Sequence, residues 1–478
     1  MMQKQNSAGY RYQRLADEIE SKIISGVYKA GERIPSIRRV REHSGFSINT
    51  VSQAYIELEK RGLVEARRKS GFYVKPLLRE ILPAPQIKRH KPEPKQVSIN
   101  TLAAQVVADM ADPSILKLGG TLVAPELLPL KSLATLIKTM PAARIAEIFS
   151  NYDNPAGSLA LRRQIAARSL TLFQQTDMDD IVITNGCLEA VNYCLRAVAS
   201  KGDTVIVESP TYPWFLQMIE DLKMLALELP THPRTGIDLG SVAAAIDRFD
   251  VKACILVANY QNPMGFKIPD DRKARLVNML SRRGVAIIED DIHGDLYFDD
   301  TRPTTLKSYD DTGMVLYCSS FSKTLAPGLR LGWTVPGKYR SAVKQLKLNQ
   351  SVACPPLVQQ ALAEYLRGGA YDRQLRQLRT ALKNQVSNMI RAIARYFPPE
   401  TRVTAPQGGF TLWVELNSGV DSLAVYREAK RQGIAIMPGI MCSTTSEFNH
   451  FIRLSCGFPW SDELEQGVRK LGKICRLG

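Results

Sequence analysis

A lysine flanked by hydroxyl groups, directly after an apolar strand, is the residue from which chemistry can first be argued. Lys323 stands in Ser319-Ser320-Phe321-Ser322-Lys323-Thr324-Leu325-Ala326-Pro327-Gly328-Leu329-Arg330-Leu331-Gly332-Trp333. Its amine can form a Schiff base with a carbonyl compound if its surroundings let it lose a proton. The hydroxyls of Ser320 and Ser322 and the charge of Arg330 can hold a phosphate beside it. A serine next to a lysine is common on any surface; the whole run, placed after a buried strand, is not.

Other separated segments make sense with this one. Asp290 ends the apolar run Val285–Ile288 within Glu289-Asp290-Asp291. A carboxylate at the C-terminal end of a strand in an α/β protein sits where ligands bind. Paired with a pyridine nitrogen, it keeps that ring protonated and able to act as an electron sink. The same aspartate would also serve as a helix N-cap. Asn262, in Ala258-Asn259-Tyr260-Gln261-Asn262-Pro263-Met264-Gly265, follows a strand too and can donate to a phenolic ring oxygen, although Asn-Pro alone is a turn signal. Thr184-Asn185-Gly186-Cys187-Leu188 opens a helix after a strand, so its backbone amides make an anion site. Tyr212, after Glu208-Ser209-Pro210-Thr211, can stack on an aromatic ring.

The elements that must position these groups read as an α/β sheet. From about residue 105 onward, helical stretches alternate with short apolar runs: Ile181-Val182-Ile183, Thr204–Val207, Ala253–Val257, Val285–Ile288 and Val315–Cys318. Such runs, separated by helices, predict buried parallel strands. Before them lies a different unit. Leu15, Ile19 and Ile23 form the stripe of an amphipathic helix. Ser36 caps a short second helix, Ile37–Ser44, that Gly45 ends, and Ser47 caps a third that runs to about Arg61. Leu63–Ala66, a basic turn at Arg67-Arg68-Lys69 and Phe72-Tyr73-Val74 complete a β-ribbon with a positive tip. Three helices and a basic ribbon describe a winged helix-turn-helix. Its third helix begins with short polar side chains, Ser47, Asn49 and Thr50, with Gln53 one turn on, as a helix entering the major groove of DNA requires. Arg38, Arg39 and the wing residues Arg67, Arg68 and Lys69 can reach phosphates. A basic surface on a protein-binding winged helix would carry the same charges.

Charge weighs between these. The 478 residues carry a formal +16. Residues 1–75 hold 15 Lys and Arg against 8 Asp and Glu, and residues 76–100 hold 5 against 2, so +10 of the +16 lies in about a fifth of the chain. That concentration favours a polyanionic partner. Five prolines at 76, 83, 85, 92 and 94, with basic residues between them, predict a semi-extended linker that spans up to roughly 80 Å when stretched and lets the head dock away from its body. The eight cysteines include no CxxC pair, so no metal site is expected, and buried thiols in a reducing compartment are the simpler reading. Neither an apolar signal segment nor a membrane-length apolar run occurs, and a cytoplasmic location with no membrane partner is expected.

The string Arg33-Ile34-Pro35-Ser36-Ile37-Arg38, with Asn49-Thr50-Val51, Ala54-Tyr55, Leu58, Gly62-Leu63-Val64, Ser70-Gly71 and Val74, resembles the GntR family of bacterial regulators. The family's first-turn arginine is Ile48 here and a wing glycine is Lys69, so direct readout by that arginine is absent. The later segments resemble a fold-type-I aminotransferase domain, and the whole chain is similar to the MocR subfamily of GntR regulators. The resemblance implies a head at residues 8–75, a proline-rich basic linker at 76–104 and a body at 105–478 that binds pyridoxal 5'-phosphate. It implies Lys323 as the covalent lysine, Asp290 at the pyridinium, Asn262 at the ring hydroxyl, Tyr212 on the ring, and the Cys187 and Leu188 amides with Ser320, Ser322 and Arg330 at the phosphate. Tyr152, in Asn151-Tyr152-Asp153-Asn154-Pro155, matches a tyrosine that reaches the phosphate of the other subunit, which implies a homodimer. Arg453, in Phe451-Ile452-Arg453-Leu454-Ser455, matches the arginine that clamps a carboxylate. Relatives carry a tyrosine two or three residues after the aspartate; Ile292 and His293 stand there, and His293 either replaces it or is an exposed, satisfied histidine. Tyr260 and Met264 also depart from the usual residues around Asn262. Three functions follow: a regulator that binds an operator in double-stranded DNA and senses pyridoxal phosphate or an amino-acid-like or amine effector, a working aminotransferase with a vestigial head, or a structural DNA-binding dimer. The intact cofactor set weighs against the third, and the intact head against the second.

Overall fold

The computed structural model describes residues 11–67, 70–75, 81–86, 92–97, 100–170, 172 and 176–477. The head packs helices α1 (Arg11–Ile24), α2 (Ile37–Ser44) and α3 (Ile48–Lys60) against the antiparallel ribbon β1 (Val64–Arg67) and β2 (Gly71–Val74). Leu15, Ile19 and Ile23 meet Val51, Tyr55, Leu58, Val64 and Val74 in one buried cluster, as their spacing requires. Ser36 Oγ accepts from the Arg39 amide at 3.3 Å, and Gly45 ends α2 in the left-handed conformation. Arg68 and Lys69, expected at the wing tip, lie outside the described residues.

In the body, β3 (Leu116–Lys117) pairs in parallel with a late strand, and eight strands build the main sheet. These are β4 (Val182–Thr184), β5 (Thr204–Ser209), β6 (Leu225–His232), β7 (Gly236–Ile237), β8 (Val251–Leu256), β9 (Ala286–Asp290), β10 (Val315–Ser320) and β11 (Gly332–Val335). Their order is β4-β11-β10-β9-β8-β5-β6-β7, and the five strands from β10 to β6 run parallel. Four of the expected runs, in β5, β8, β9 and β10, therefore pair in parallel, whereas Ile181-Val182-Ile183 enters β4, an edge strand antiparallel to β11, and β11 is antiparallel to both neighbours. The segment 321–331 that joins β10 to β11 is too short for a crossover, so the chain must turn back beside the strand it has just left. A smaller antiparallel sheet follows, from β12 (Arg402–Val403), β13 (Thr411–Glu415), β15 (Met437–Pro438) and β16 (Phe451–Ser455), while β14 (Ile434–Ala435) is the partner of β3. The 27-residue helix Ala370–Tyr396 links the two parts of the body, its Leu378, Leu382, Val386 and Ile390 in the shared core.

The proline-rich segment differs from its expectation as a free tether. Lys95 exchanges both backbone hydrogen bonds with Ala226 on β6, at 2.9 and 3.0 Å, and Val97 is buried. The Pro83 carbonyl accepts from the Val403 amide, and the helix Asn100–Ala111 starts inside the stretch read as linker. An extended chain can add to a sheet edge without a core of its own. The head touches its body directly: Lys383 lies 3.3 Å from Glu20. All eight cysteines are buried and free.

Candidate active site

The C-terminal ends of β5, β8, β9 and β10 open onto one cavity of about 120 Å³, the place where an α/β sheet presents ligand-binding groups. Lys323, Asp290, Asn262, Tyr212, Cys187, Leu188, Ser322, Arg330 and His293 all line it. Separate segments of sequence thus meet at one point because each follows a strand of the same sheet. Ser320 lies just behind the wall, its Oγ accepting from the Ser322 amide at 3.3 Å.

Lys323 Nζ donates to the Thr121 carbonyl at 2.6 Å. Burial, with the positive charges of Arg453 and Arg330, brings its ammonium down to about 8 against the attraction of Asp290. Asp290 Oδ1 accepts from Cys187 Sγ at 3.2 Å and from the Ile292 amide at 3.0 Å. Burial pushes its carboxyl up to about 6, opposed by those two bonds and by Lys323. The N-cap reading of Asp290 has no support, because the bonds it accepts come from a cysteine on another helix and from a loop amide.

The helix Cys187–Val198 starts at Gly186, whose φ of +91° is the left-handed region that glycine tolerates. A side chain there would collide with the Arg330 guanidinium, 2.4 Å from the Cβ position, so glycine is what lets Arg330 lie across the helix start. Arg330 donates to the Asn185 carbonyl at 3.0 Å and to Ser322 Oγ at 3.5 Å. The arginine, the first helix amides and Ser322 form an anion site.

Arg453 on β16 is 2% exposed and adjoins the cavity through Asn262, one of its lining residues. It donates from Nη1 to Asn262 Oδ1 at 2.9 Å and from Nη2 to the Gly119 carbonyl at 2.5 Å, while its Nε has no partner among the described residues. Asn262 therefore turns its amide nitrogen away from Arg453. His293 is 2% exposed, not a surface histidine; its Nδ1 lies 3.2 Å from the Tyr260 carbonyl and its Nε2 has no partner among the described residues. Tyr212 stacks on Trp214 with centroids 5.2 Å apart. Tyr152 does not join the others: it is 90% exposed, away from the cavity of its own chain.

Sequence reasoning missed Thr121 and Gly119, which supply carbonyls from an irregular segment with no motif; the Gly119-Gly120 pair was the available hint. It also passed over Glu208 at the end of β5. That side chain is fully buried behind Val257, whose amide it accepts at 3.1 Å, and burial raises its carboxyl to about 8.

In the head, Asn49 and Gln53 are exposed on α3, and Arg38 and Arg39 are exposed on α2. Ser47 Oγ accepts from the Thr50 amide at 3.1 Å and lies 2.8 Å from Thr50 Oγ1, so both hydroxyls are engaged in the cap. Arg67 pairs with Glu65 at 2.8 Å and lies over the Tyr73 ring at 4.2 Å.

Residues 126–471 match the family model for aminotransferase class I and II, and residues 11–74 match that for bacterial regulatory proteins of the gntR family. The HTH-type transcriptional regulator YdcR of Escherichia coli is 38% identical over 97% of this chain and 98% of its own length. The 2-aminoadipate transaminase of Thermus thermophilus is 29% identical over 76% of this chain and 91% of its own. The solved structure of LysN, an alpha-aminoadipate aminotransferase from Thermus thermophilus complexed with N-(5'-phosphopyridoxyl)-L-leucine, superposes with a TM-score of 0.71 at 26% identity, covering 79% of this chain and 98% of that one. A gntR-type winged helix at one end and a class I and II aminotransferase fold over most of the rest place the chain in the MocR-type family of HTH regulators.

Proposed function

We propose that the chain is a DNA-binding transcription regulator whose body holds pyridoxal phosphate at Lys323 and responds to an amino compound bearing a carboxylate. The observation that carries the reading is the convergence of Lys323, Asp290, Asn262 and Arg330 on one cavity, in a chain whose head exposes Arg38, Arg39 and Asn49.

The residues present fit that cofactor. The anion site at Gly186–Leu188 and Arg330 suits its phosphate, and Asp290 has both its donors on Oδ1. A buried, unpartnered His293 Nε2 asks for a polar group in the cavity. Bound there, pyridoxal phosphate supplies an aldehyde that exchanges amines and a ring that withdraws electrons. The protein does the rest. Lys323, with its lowered affinity for a proton, becomes a free amine above about pH 8 instead of near the ordinary lysine value of 10.5. Asp290 holds a proton on the ring nitrogen, the helix start and Arg330 orient the phosphate, and Arg453 exchanges its hold on Asn262 and Gly119 for the ligand's carboxylate. Tyr152, exposed on its own chain, reaches across a homodimer to the partner's cavity. Arg38, Arg39 and the wing hold operator phosphates while Asn49 and Gln53 face bases, and the protein works in the cytoplasm beside its operator.

The second reading, a working aminotransferase, is favoured by the lowered Lys323 ammonium, which suits proton transfer as well as attachment. Adding amino acids while recording both the cofactor's absorption and operator affinity separates the two. A ligand that changes both without net amino transfer supports the regulator; steady transfer with unchanged DNA affinity overturns it.

A further inference from the structure

His293 is buried, and two contacts fix how its ring is used. Nδ1 lies 3.2 Å from the carbonyl of Tyr260, and the ring packs edge-to-face on Phe410 with centroids 5.7 Å apart. Tyr260 itself is held at a φ of +57°, a left-handed conformation uncommon for a bulky side chain. A carbonyl oxygen only accepts, so Nδ1 carries the proton; the other tautomer would set two lone pairs against each other and bury an unsatisfied N–H at Nε2. The ring does not take a second proton either. Burial, together with the nearby charges of Lys323 and Arg453, keeps the imidazole neutral, its pKa down to about 3. Nε2 is therefore a bare lone pair, without a partner among the described residues, at the wall of the cavity.

Asn262 complements it. Arg453 takes the amide oxygen, so the Asn262 nitrogen is the end left for the cavity, and it can only donate. Asn262 and His293 thus offer the cavity one fixed donor and one fixed acceptor of hydrogen bonds. A hydroxyl group satisfies both, receiving from Asn262 and donating to His293; an oxyanion satisfies only the first and leaves the two lone pairs, on oxygen and Nε2, opposed.

We propose that His293 is a positioning residue fixed as a hydrogen-bond acceptor, selecting the neutral, protonated form of the cofactor's ring hydroxyl over its oxyanion. This rests on the reading that the cavity holds pyridoxal phosphate. The ring oxygen then keeps its proton and pushes less electron density into the ring, a setting that suits a cofactor used for recognition.

The test uses the full-length, cofactor-loaded protein and three measurements. Borohydride reduction and peptide mapping first establish whether Lys323 carries the cofactor. The absorption spectrum then reports the ring oxygen, since the neutral hydroxyl absorbs at shorter wavelength than the oxyanion. Wild-type protein is expected to absorb mainly in the shorter-wavelength band, and His293→Phe, which removes the acceptor, and His293→Tyr, whose hydroxyl can donate, to shift it to the longer one. Ring-nitrogen NMR of wild-type protein is expected to find Nδ1 protonated and Nε2 not. A loaded wild type absorbing in the longer-wavelength band, or a protonated Nε2, overturns the proposal and leaves the cofactor reading intact. Absence of any adduct on Lys323 overturns both.

Discussion

The hydroxyls of Tyr371 and Thr324 lie 2.9 Å apart, and Thr324 is the residue after Lys323. Tyr371 stands in the first turn of the helix Ala370–Tyr396, and twelve residues further along that helix Lys383 pairs with Glu20 of the head. At 1.5 Å per residue the two pairings are about 18 Å apart on one rigid element. A shift of the Lys323 segment can therefore be felt by the head without any loop between them.

Tyr371→Phe is expected to leave cofactor attachment in place and weaken the effect of a ligand on DNA affinity by about 0.5–2 kcal/mol, the usual range for positions between coupled sites. Titrating operator DNA by anisotropy with and without ligand measures it. The Lys383–Glu20 pair is partly exposed and Glu20 is also held by Arg61 at 2.6 Å, so Lys383→Ala should cost less than about 1 kcal/mol in stability. An undiminished ligand effect in Tyr371→Phe would remove the helix from the path.

Attachment of the cofactor should depend on pH in two steps. The Lys323 amine is the free base above about 8 and the ammonium below, so the attachment rate rises with pH and levels off above about 8. Asp290 is ionised above about 6 and protonated below, so affinity for the protonated ring falls as pH drops through about 6. Stopped-flow absorbance across this range checks both; a rate that climbs only near the ordinary lysine value of 10.5 would place the amine in a wetter setting.

Much of this site is readable in the sequence because its residues follow apolar runs that could hardly be anything but strands. Lys323, Asp290 and Asn262 are placed that way, and α2 and α3 by their serine caps. What is not readable depends on contacts between distant segments. Thr121 and Gly119 act through backbone carbonyls, which leave no trace in side-chain type. The burial of His293 follows from Tyr260 and Phe410 closing over it. The hairpin return of β11 and the stitching of Lys95 to β6 are decisions of packing that local propensity does not contain.

Gly332→Ala should disturb the anion site. A Cβ there would lie 2.6 Å from the Gly186 carbonyl carbon and 2.9 Å from the Cys187 nitrogen, both backbone atoms that cannot swing aside. The expected cost is about 1–3 kcal/mol of stability, with weaker cofactor binding from a displaced helix start. Thermal unfolding with and without pyridoxal phosphate reads both effects, and a variant with unchanged affinity would separate this helix start from the phosphate.

In the head, Arg38→Ala should weaken binding to all DNA sequences alike and lower the salt slope of log K by about 0.9 for each phosphate it no longer neutralises. Asn49→Ala should instead reduce discrimination between operator and random DNA, by about 1–3 kcal/mol for one base that goes unread. Thr50 is tied to the Ser47 cap, so Thr50→Ala is expected to lower head stability as well. Equal losses on specific and random DNA for Asn49→Ala would assign that residue to the backbone.

The central claim is that one ligand acts on both the cavity and the head. Operator affinity of the cofactor-loaded protein, measured against a panel of amino acids and their decarboxylated amines while absorption is recorded in the same cuvette, tests it most directly. An amino acid is expected to change absorption and operator affinity at the same concentration, Arg453→Gln to abolish the preference for the carboxylate, and Lys323→Ala to abolish both responses. Spectral change with operator affinity constant across the whole panel, and steady amino transfer near the enzyme median of about 10 per second, would contradict it.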